Sequence, residues 1–141
     1  MSIVVPEALG QAEVPAAKKK VYRHRILCID DDPCIVSTLT RSFRGHGIEV
    51  IPAYHGMQGY WTACTEAPQL VIVDLCMPRG NGEYVIGCLK RNSLTRDIPL
   101  VVLSGAQDRR LRKRVREMGV DAFLLKPAPF SAVHEAVEGL L

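Results

Sequence analysis

Four short apolar runs in this chain lead straight into residues that can handle phosphate. Ile26-Leu27-Cys28-Ile29 runs into Asp30-Asp31-Asp32, and Leu70-Val71-Ile72-Val73 into Asp74. Leu100-Val101-Val102-Leu103 runs into Ser104, and Ala122-Phe123-Leu124-Leu125 into Lys126-Pro127. Carboxylates brought close together repel one another and need a compensating cation. Oxygen-only ligands beside a phosphate suit Mg2+. A carboxylate is also one of the side chains that can act as a covalent nucleophile. A lysine can set a point charge against a phosphoryl oxygen, and a serine hydroxyl can donate to another. Each piece alone has a plainer role. Asp30 and Asp31 could complement a helix dipole, and Asp32 reads as a helix cap rather than a ligand.

The elements between these residues bring them together. Asp32 and Pro33 open a helix striped by Ile35, Leu39 and Phe43, which Gly45 and Gly47 end. A short strand is expected at Ile48 to Ile51. Met57, Tyr60, Trp61 and Cys64 stripe a second helix. Gly80-Asn81-Gly82 makes a turn, followed by a third helix striped by Tyr84, Val85, Cys88 and Leu89. Leu111, Val115 and Met118 stripe a fourth, and Phe130, Val133, Val137 and Leu140 a fifth. Strand and helix alternate five times. The predicted fold is therefore α/β, a doubly wound five-stranded parallel sheet of (βα)5 type. In such a sheet the residues past the carboxyl ends of the strands share one crevice. Asp74 falls at the middle of it.

Composition frames this reading. The 141 residues suffice for one domain plus a tail, and 48% hydrophobic with 23% charged is ordinary for a globular protein. Residues 1–24 read as a flexible N-terminal tail and 25–141 as the domain. Cysteines 28, 34, 64, 76 and 88 are odd in number and lack zinc or redox spacing, so a reduced, cytoplasmic setting is expected. No segment has the length of a membrane span or the pattern of a secretory signal. A basic run, Lys18-Lys19-Lys20 and Arg23-His24-Arg25, reads as a solvated leader or as a docking arm. Arg109, Arg110, Arg112, Lys113, Arg114 and Arg116 load the fourth helix with positive charge. They read as a solvated face, or as a surface for an acidic partner or a second copy. Direct nucleic-acid binding is disfavoured, because no recognition helix or aromatic platform accompanies them. The histidines at 24, 46, 55 and 134 read as surface or loop residues, and Met57 and Trp61 as core.

The set Ile29-Asp30-Asp31-Asp32-Pro33, Val73-Asp74-Leu75-Cys76-Met77-Pro78 with Gly82, Leu103-Ser104-Gly105 and Lys126-Pro127 resembles the receiver domains of bacterial two-component response regulators. The likeness runs from about Arg25 to the C-terminus. It implies that Asp74 accepts a phosphoryl group from a histidine kinase or a phosphotransfer protein. It implies Mg2+ as cofactor, held by Asp30, Asp31, Asp74 and the backbone carbonyl of Cys76. It casts Lys126 and Ser104 as the groups that meet the phosphoryl oxygens, Phe123 as a switch aromatic, and Lys126–Pro127 as a cis peptide. Partner binding, including homodimerisation, would then use the face of the fourth helix, fifth strand and fifth helix. A thiol at Cys76 leaves the acyl-phosphate lifetime open, and Phe123 lacks the hydroxyl of a tyrosine. The chain stops soon after the fifth helix, so no output domain is expected. Two other readings are carried: an Mg2+-dependent aspartyl-phosphate phosphohydrolase, and a pseudo-receiver that binds partners without phosphorylation. Cys76, where the hydrolase would need a second aspartate, weighs against the first. The intact acidic, hydroxyl and lysine set weighs against the second.

Overall fold

The computed structural model describes residues 21–78 and 81–141. Most of the expected tail, and the Gly80 part of the expected turn, lie outside the described residues. Five parallel strands are β1 (His24–Ile29), β2 (Ile48–Ala53), β3 (Leu70–Val73), β4 (Leu100–Ser104) and β5 (Ala122–Leu125). They alternate with helices α1 (Pro33–Arg44), α2 (Gly56–Glu66), α3 (Gly82–Arg91), α4 (Arg109–Glu117) and α5 (Phe130–Glu138). The sheet order is β2-β1-β3-β4-β5. The order reverses between β1 and β3, which opens a crevice at their carboxyl ends.

Alternation along the strands builds two cores. Leu27, Ile29, Val71, Val73, Leu100 and Val102 face α2, α3 and α4, where Ala63, Val85, Ile86, Leu89 and Val115 meet them. Ile26, Cys28, Leu70, Ile72, Val101 and Leu103 face α1 and α5, where Val36, Leu39, Phe43, Val133 and Val137 meet them. Because both faces are covered, the three inner strands are apolar along nearly their whole length, the exceptions being His24 and Arg25 at the start of β1 and Ser104 at the end of β4. Burial pushes the Cys28 thiol up to about 12, so it acts as a small core hydrophobe. Among the described residues no helix is long and apolar enough to cross a membrane.

One helix turns a different face inward from the one its large residues mark. On α2 the buried residues are Gly56, Gly59 and Ala63. Trp61 is 61% exposed and Met57 43%, so neither is a core residue. The cause is close approach: a Cβ at Gly59 would overlap Cδ1 of Ile29 and lie 2.6 Å from its Cγ1. The helix seats on the sheet through its small residues, which turns Met57 and Trp61 outward while Tyr60 still packs against the core. On α3 the expected Val85 and Leu89 are buried, joined by Ile86 and Gly87, whereas Cys88 is half-buried and Tyr84 is 58% exposed.

The histidines also depart in part from expectation. His24 belongs to β1, and Nδ1 of His55 caps α2 by accepting from the Gln58 N–H at 3.3 Å. His134, on α5, is half-buried, and its ring lies tilted against His46 with centroids 4.1 Å apart. Arg23 and Arg25 of the basic run are tied down in ion pairs with Glu138, Glu49 and Glu66.

Candidate functional site

Strand register assembles the site. Ile29 of β1 pairs with Val73 of β3, so the next residues, Asp30 and Asp74, leave the sheet side by side. The Asp30 N–H still bonds the Ala53 carbonyl and the Asp74 N–H the Ile29 carbonyl, each at 3.0 Å. Both backbones are thus held by the sheet where the strands end. On the other flank Ser104 pairs with Leu125, and the Lys126 N–H bonds the Ser104 carbonyl at 2.9 Å. The Lys126–Pro127 peptide is cis.

Carboxylate oxygens of Asp30, Asp31 and Asp74 all lie within 4.8 Å of one another, a grouping that could hold a metal ion. The donor set is oxygen only, which fits a hard cation such as Mg2+. The Lys126 ammonium donates to Oδ2 of Asp30 at 2.7 Å and to Oδ2 of Asp74 at 3.3 Å. The other oxygens take backbone donors: the Asp32 N–H bonds Oδ1 of Asp30 at 2.9 Å, and the Cys76 N–H bonds Oδ1 of Asp74 at 3.1 Å. Asp30, Asp74 and Ser104 are buried, whereas Asp31 is exposed. Burial raises the Asp30 carboxyl above the usual carboxylate range, against the pull of Lys126 and the Asp32 N–H. Burial also opposes the charge on Lys126, but its bonds and charge interactions with Asp30 and Asp74 outweigh it and raise the ammonium. Three carboxylates against one ammonium leave an excess of negative charge at a partly desolvated point.

The remaining expected residues sit around this centre. The Ser104 hydroxyl accepts from the Ala106 N–H at 3.3 Å and lies 3.8 Å from Sγ of Cys76. Asp32 caps α1 through the Cys34 N–H at 2.9 Å, as a cap rather than a ligand. Asn81 caps α3 through the Glu83 N–H at 2.9 Å. Gly82 brings that helix against the site: a Cβ there would overlap the Asp74 carbonyl oxygen and lie 2.7 Å from Cα of Leu75.

Residues 26–138 match the family model of the response regulator receiver domain. The chain belongs to that family. It is 31% identical over 117 residues to the transcriptional regulatory protein PrrA of Mycobacterium bovis, covering 83% of this chain and 49% of PrrA. It therefore spans about half the length of that relative. Protein PilH of Pseudomonas aeruginosa is 27% identical over 117 residues, which are 83% of this chain and 97% of PilH. The chemotaxis protein CheY4 of Vibrio cholerae has the same fold, with a TM-score of 0.78 and 19% identity over 84% of this chain and 98% of CheY4. As a receiver domain the protein is a signalling module of the two-component type.

Three features of this receiver domain escaped the sequence reading. The Phe123 ring, half-buried on β5, is covered by two guanidiniums, Arg112 at 4.9 Å and Arg116 at 6.0 Å from its centroid. Arg114 instead reaches α3, where its Nε and Nη2 bond the two carboxylate oxygens of Glu83 at 2.9 and 3.2 Å. The third is the glycine seat of α2 described above. The i,i+4 spacing of Arg112 and Arg116, which puts both on one helical face, was the available signal for the first.

Proposed function

We propose that Asp74 of this receiver domain accepts a phosphoryl group from a phosphohistidine on a histidine kinase or a phosphotransfer protein. The observation that carries this reading is the meeting of three carboxylates with the Lys126 ammonium at one strand-end crevice. A carboxylate oxygen of Asp74 attacks phosphorus, the N–P bond to the donor imidazole breaks, and the freed imidazole nitrogen takes up a proton. Asp30, Asp31 and Asp74, with the backbone carbonyl of Cys76, would hold Mg2+. That ion, when bound, neutralises charge on the transferring oxygens. Lys126 supplies a second positive charge, already bonded to Oδ2 of Asp74 at 3.3 Å. The two Asp74 oxygens have different partners, the Cys76 N–H on Oδ1 and the Lys126 ammonium on Oδ2.

The acyl phosphate adds negative charge and acceptor oxygens where Asp74 stood. Ser104 moves from its Ala106 contact to meet them. The space it leaves lets Phe123 turn inward and changes the α4-β5-α5 face that partners read. Partner binding, including self-association, then follows phosphorylation. The domain's own turnover is limited to taking up and slowly losing the phosphoryl group. Its kinase partner places its work in the cytoplasm.

Intact mass after incubation with acetyl phosphate, with and without Mg2+, tests the reading. A single Mg2+-dependent phosphoryl adduct, lost in Asp74→Asn, is the expected result. Equal labelling of Asp74→Asn would overturn the assignment of the acceptor. No labelling and no beryllofluoride binding would leave a phosphorylation-independent interaction module in its place.

A further inference from the structure

We propose that the recess on α4 bounded by Arg109, Arg112, Lys113 and Arg116 docks an acidic protein segment, and that this docking is coupled to the orientation of Phe123. The proposal deepens the switch reading above and rests on it. Six cations face one acid, Glu117, along this helix, although the whole chain has a formal net charge of only +3. The positive charge is therefore concentrated on one element. Arg114 is already engaged by Glu83. Arg109, Arg112, Lys113 and Arg116, with Glu117, line a recess of about 380 Å³. Like charges around one concavity focus a positive potential into it.

The shape and chemistry of the recess select among anions. Guanidinium forks match carboxylates and phosphates alike in two-bond geometry. Nucleic acid is a poorer fit, because the recess lining contains no aromatic side chain on which a base could stack. The Phe123 ring already has guanidiniums over it.

Coupling arises because two of the recess residues have a second partner. Arg112 and Arg116 hold the Phe123 ring under their guanidiniums, within cation–π range. A contact of this kind weighs roughly two- to five-fold in an equilibrium. Carboxylates entering the recess compete with the ring for those guanidiniums. Once they engage, the half-buried ring loses this cover and a more inward orientation gains by that factor. Linkage then requires the reverse: the switched domain binds the acidic segment more tightly by the same factor.

The test uses a labelled oligo-glutamate peptide, an oligothymidylate of equal charge, and three forms of the full chain. Arg112→Gln/Arg116→Gln should weaken peptide binding at least about tenfold, as expected for losing two charge-assisted contacts. Arg110→Gln/Arg114→Gln removes the same charge from outside the recess and should change it far less. Equal losses in the two double variants would overturn the recess as a site. Tighter binding of oligothymidylate than of peptide would overturn it in favour of nucleic acid. A concentration-dependent dimer in sedimentation, lost in Arg112→Gln/Arg116→Gln and not displaced by peptide, would assign the recess to a second copy instead. Peptide should also move the aromatic NMR signals of Phe123 in the wild type and leave them in place in Arg112→Gln/Arg116→Gln. Beryllofluoride should tighten peptide binding roughly two- to five-fold. An unchanged affinity in a domain that has bound beryllofluoride would refute the coupling. Failure to bind beryllofluoride at all would refute the phosphoacceptor reading, and the peptide and Phe123 signals would still decide the docking.

Discussion

Replacing Asp74 by asparagine should make the domain more stable when no divalent metal is present. The carboxylate oxygens of Asp30, Asp31 and Asp74 lie within 4.8 Å of one another, so at an effective dielectric of about 20 each repulsion on Asp74 is at least about 3.5 kcal/mol. The Lys126 ammonium at 3.3 Å returns about 5 kcal/mol of attraction on the same scale. Two repulsions outweigh one attraction by about 2 kcal/mol. The neutral amide of the variant removes that excess, keeps an oxygen for the Cys76 N–H, and leaves Lys126 its shorter bond to Asp30. Urea unfolding in EDTA should therefore give Asp74→Asn an advantage of about 2 kcal/mol, or about 8 °C in Tm for a domain of this size. Mg2+ should narrow the gap. An ion that binds only the folded state adds about 2.7 kcal/mol at a hundredfold excess over its Kd, and a tenfold weaker site gains about 1.4 kcal/mol less. A variant that is no more stable than wild type in EDTA would refute the charge argument. Equal gains from Mg2+ in both proteins would refute the inclusion of Asp74 in the metal site.

Four further outcomes follow from the same geometry. Lys126→Ala strands the buried Asp30 carboxylate and should cost about 3 kcal/mol in EDTA while leaving the circular-dichroism spectrum unchanged; phosphorylation-dependent partner binding should be lost, and its persistence would count against the role of Lys126. Gly82→Ala forces a Cβ into the Asp74 carbonyl, a rigid backbone group, and should destabilise by about 3 kcal/mol or more in urea melts with loss of labelling by acetyl phosphate. Gly59→Ala would add about 1 kcal/mol at an exposed helical site, but the overlap with Ile29 makes it destabilising here; in a double-mutant cycle with Ile29→Ala the coupling should exceed about 1 kcal/mol. The bond from Arg114 holds the Glu83 carboxyl below its ordinary value of 4.5, so the stability this pair contributes is present above pH 4.5 and is lost as pH falls through the depressed value; the difference between wild type and Arg114→Gln in acid titrations should vanish over that window.

The strands and the site residues could be read because each reading rested on local information. An inner parallel strand is apolar at every position, and β1, β3 and β4 are so over nearly their whole length. Residues just beyond such runs must emerge at one edge of the sheet, which put Asp30, Asp31, Asp74, Ser104 and Lys126 on the same rim without any knowledge of distance. What could not be read was register. A one-residue slip between β1 and β3 would separate Asp30 from Asp74, and the pairing of Ile29 with Val73 is a property of the packed sheet. Nor does any local pattern say that Lys126 bonds Asp30 more closely than Asp74.

Helix faces were the weaker reading, and α2 shows why. Met57, Tyr60, Trp61 and Cys64 recur at helical spacing, but so do Gly56, Gly59 and Ala63. Both stripes satisfy the same period, and hydrophobicity favours the first. The choice is made by how near the helix lies to the sheet, and that distance is set at Gly59 against Ile29. The arginines of α4 pose the same problem in charge. Composition counts six cations on this helix, but it cannot divide them among Glu83, Phe123 and solvent. The division follows from which elements flank α4: α3 claims Arg114, β5 claims Arg112 and Arg116, and the cations around the recess are what a partner would meet. A receiver with the same charge on α4 but an aliphatic residue at the position of Phe123 would keep the attraction for acidic segments and lose the link to the switch.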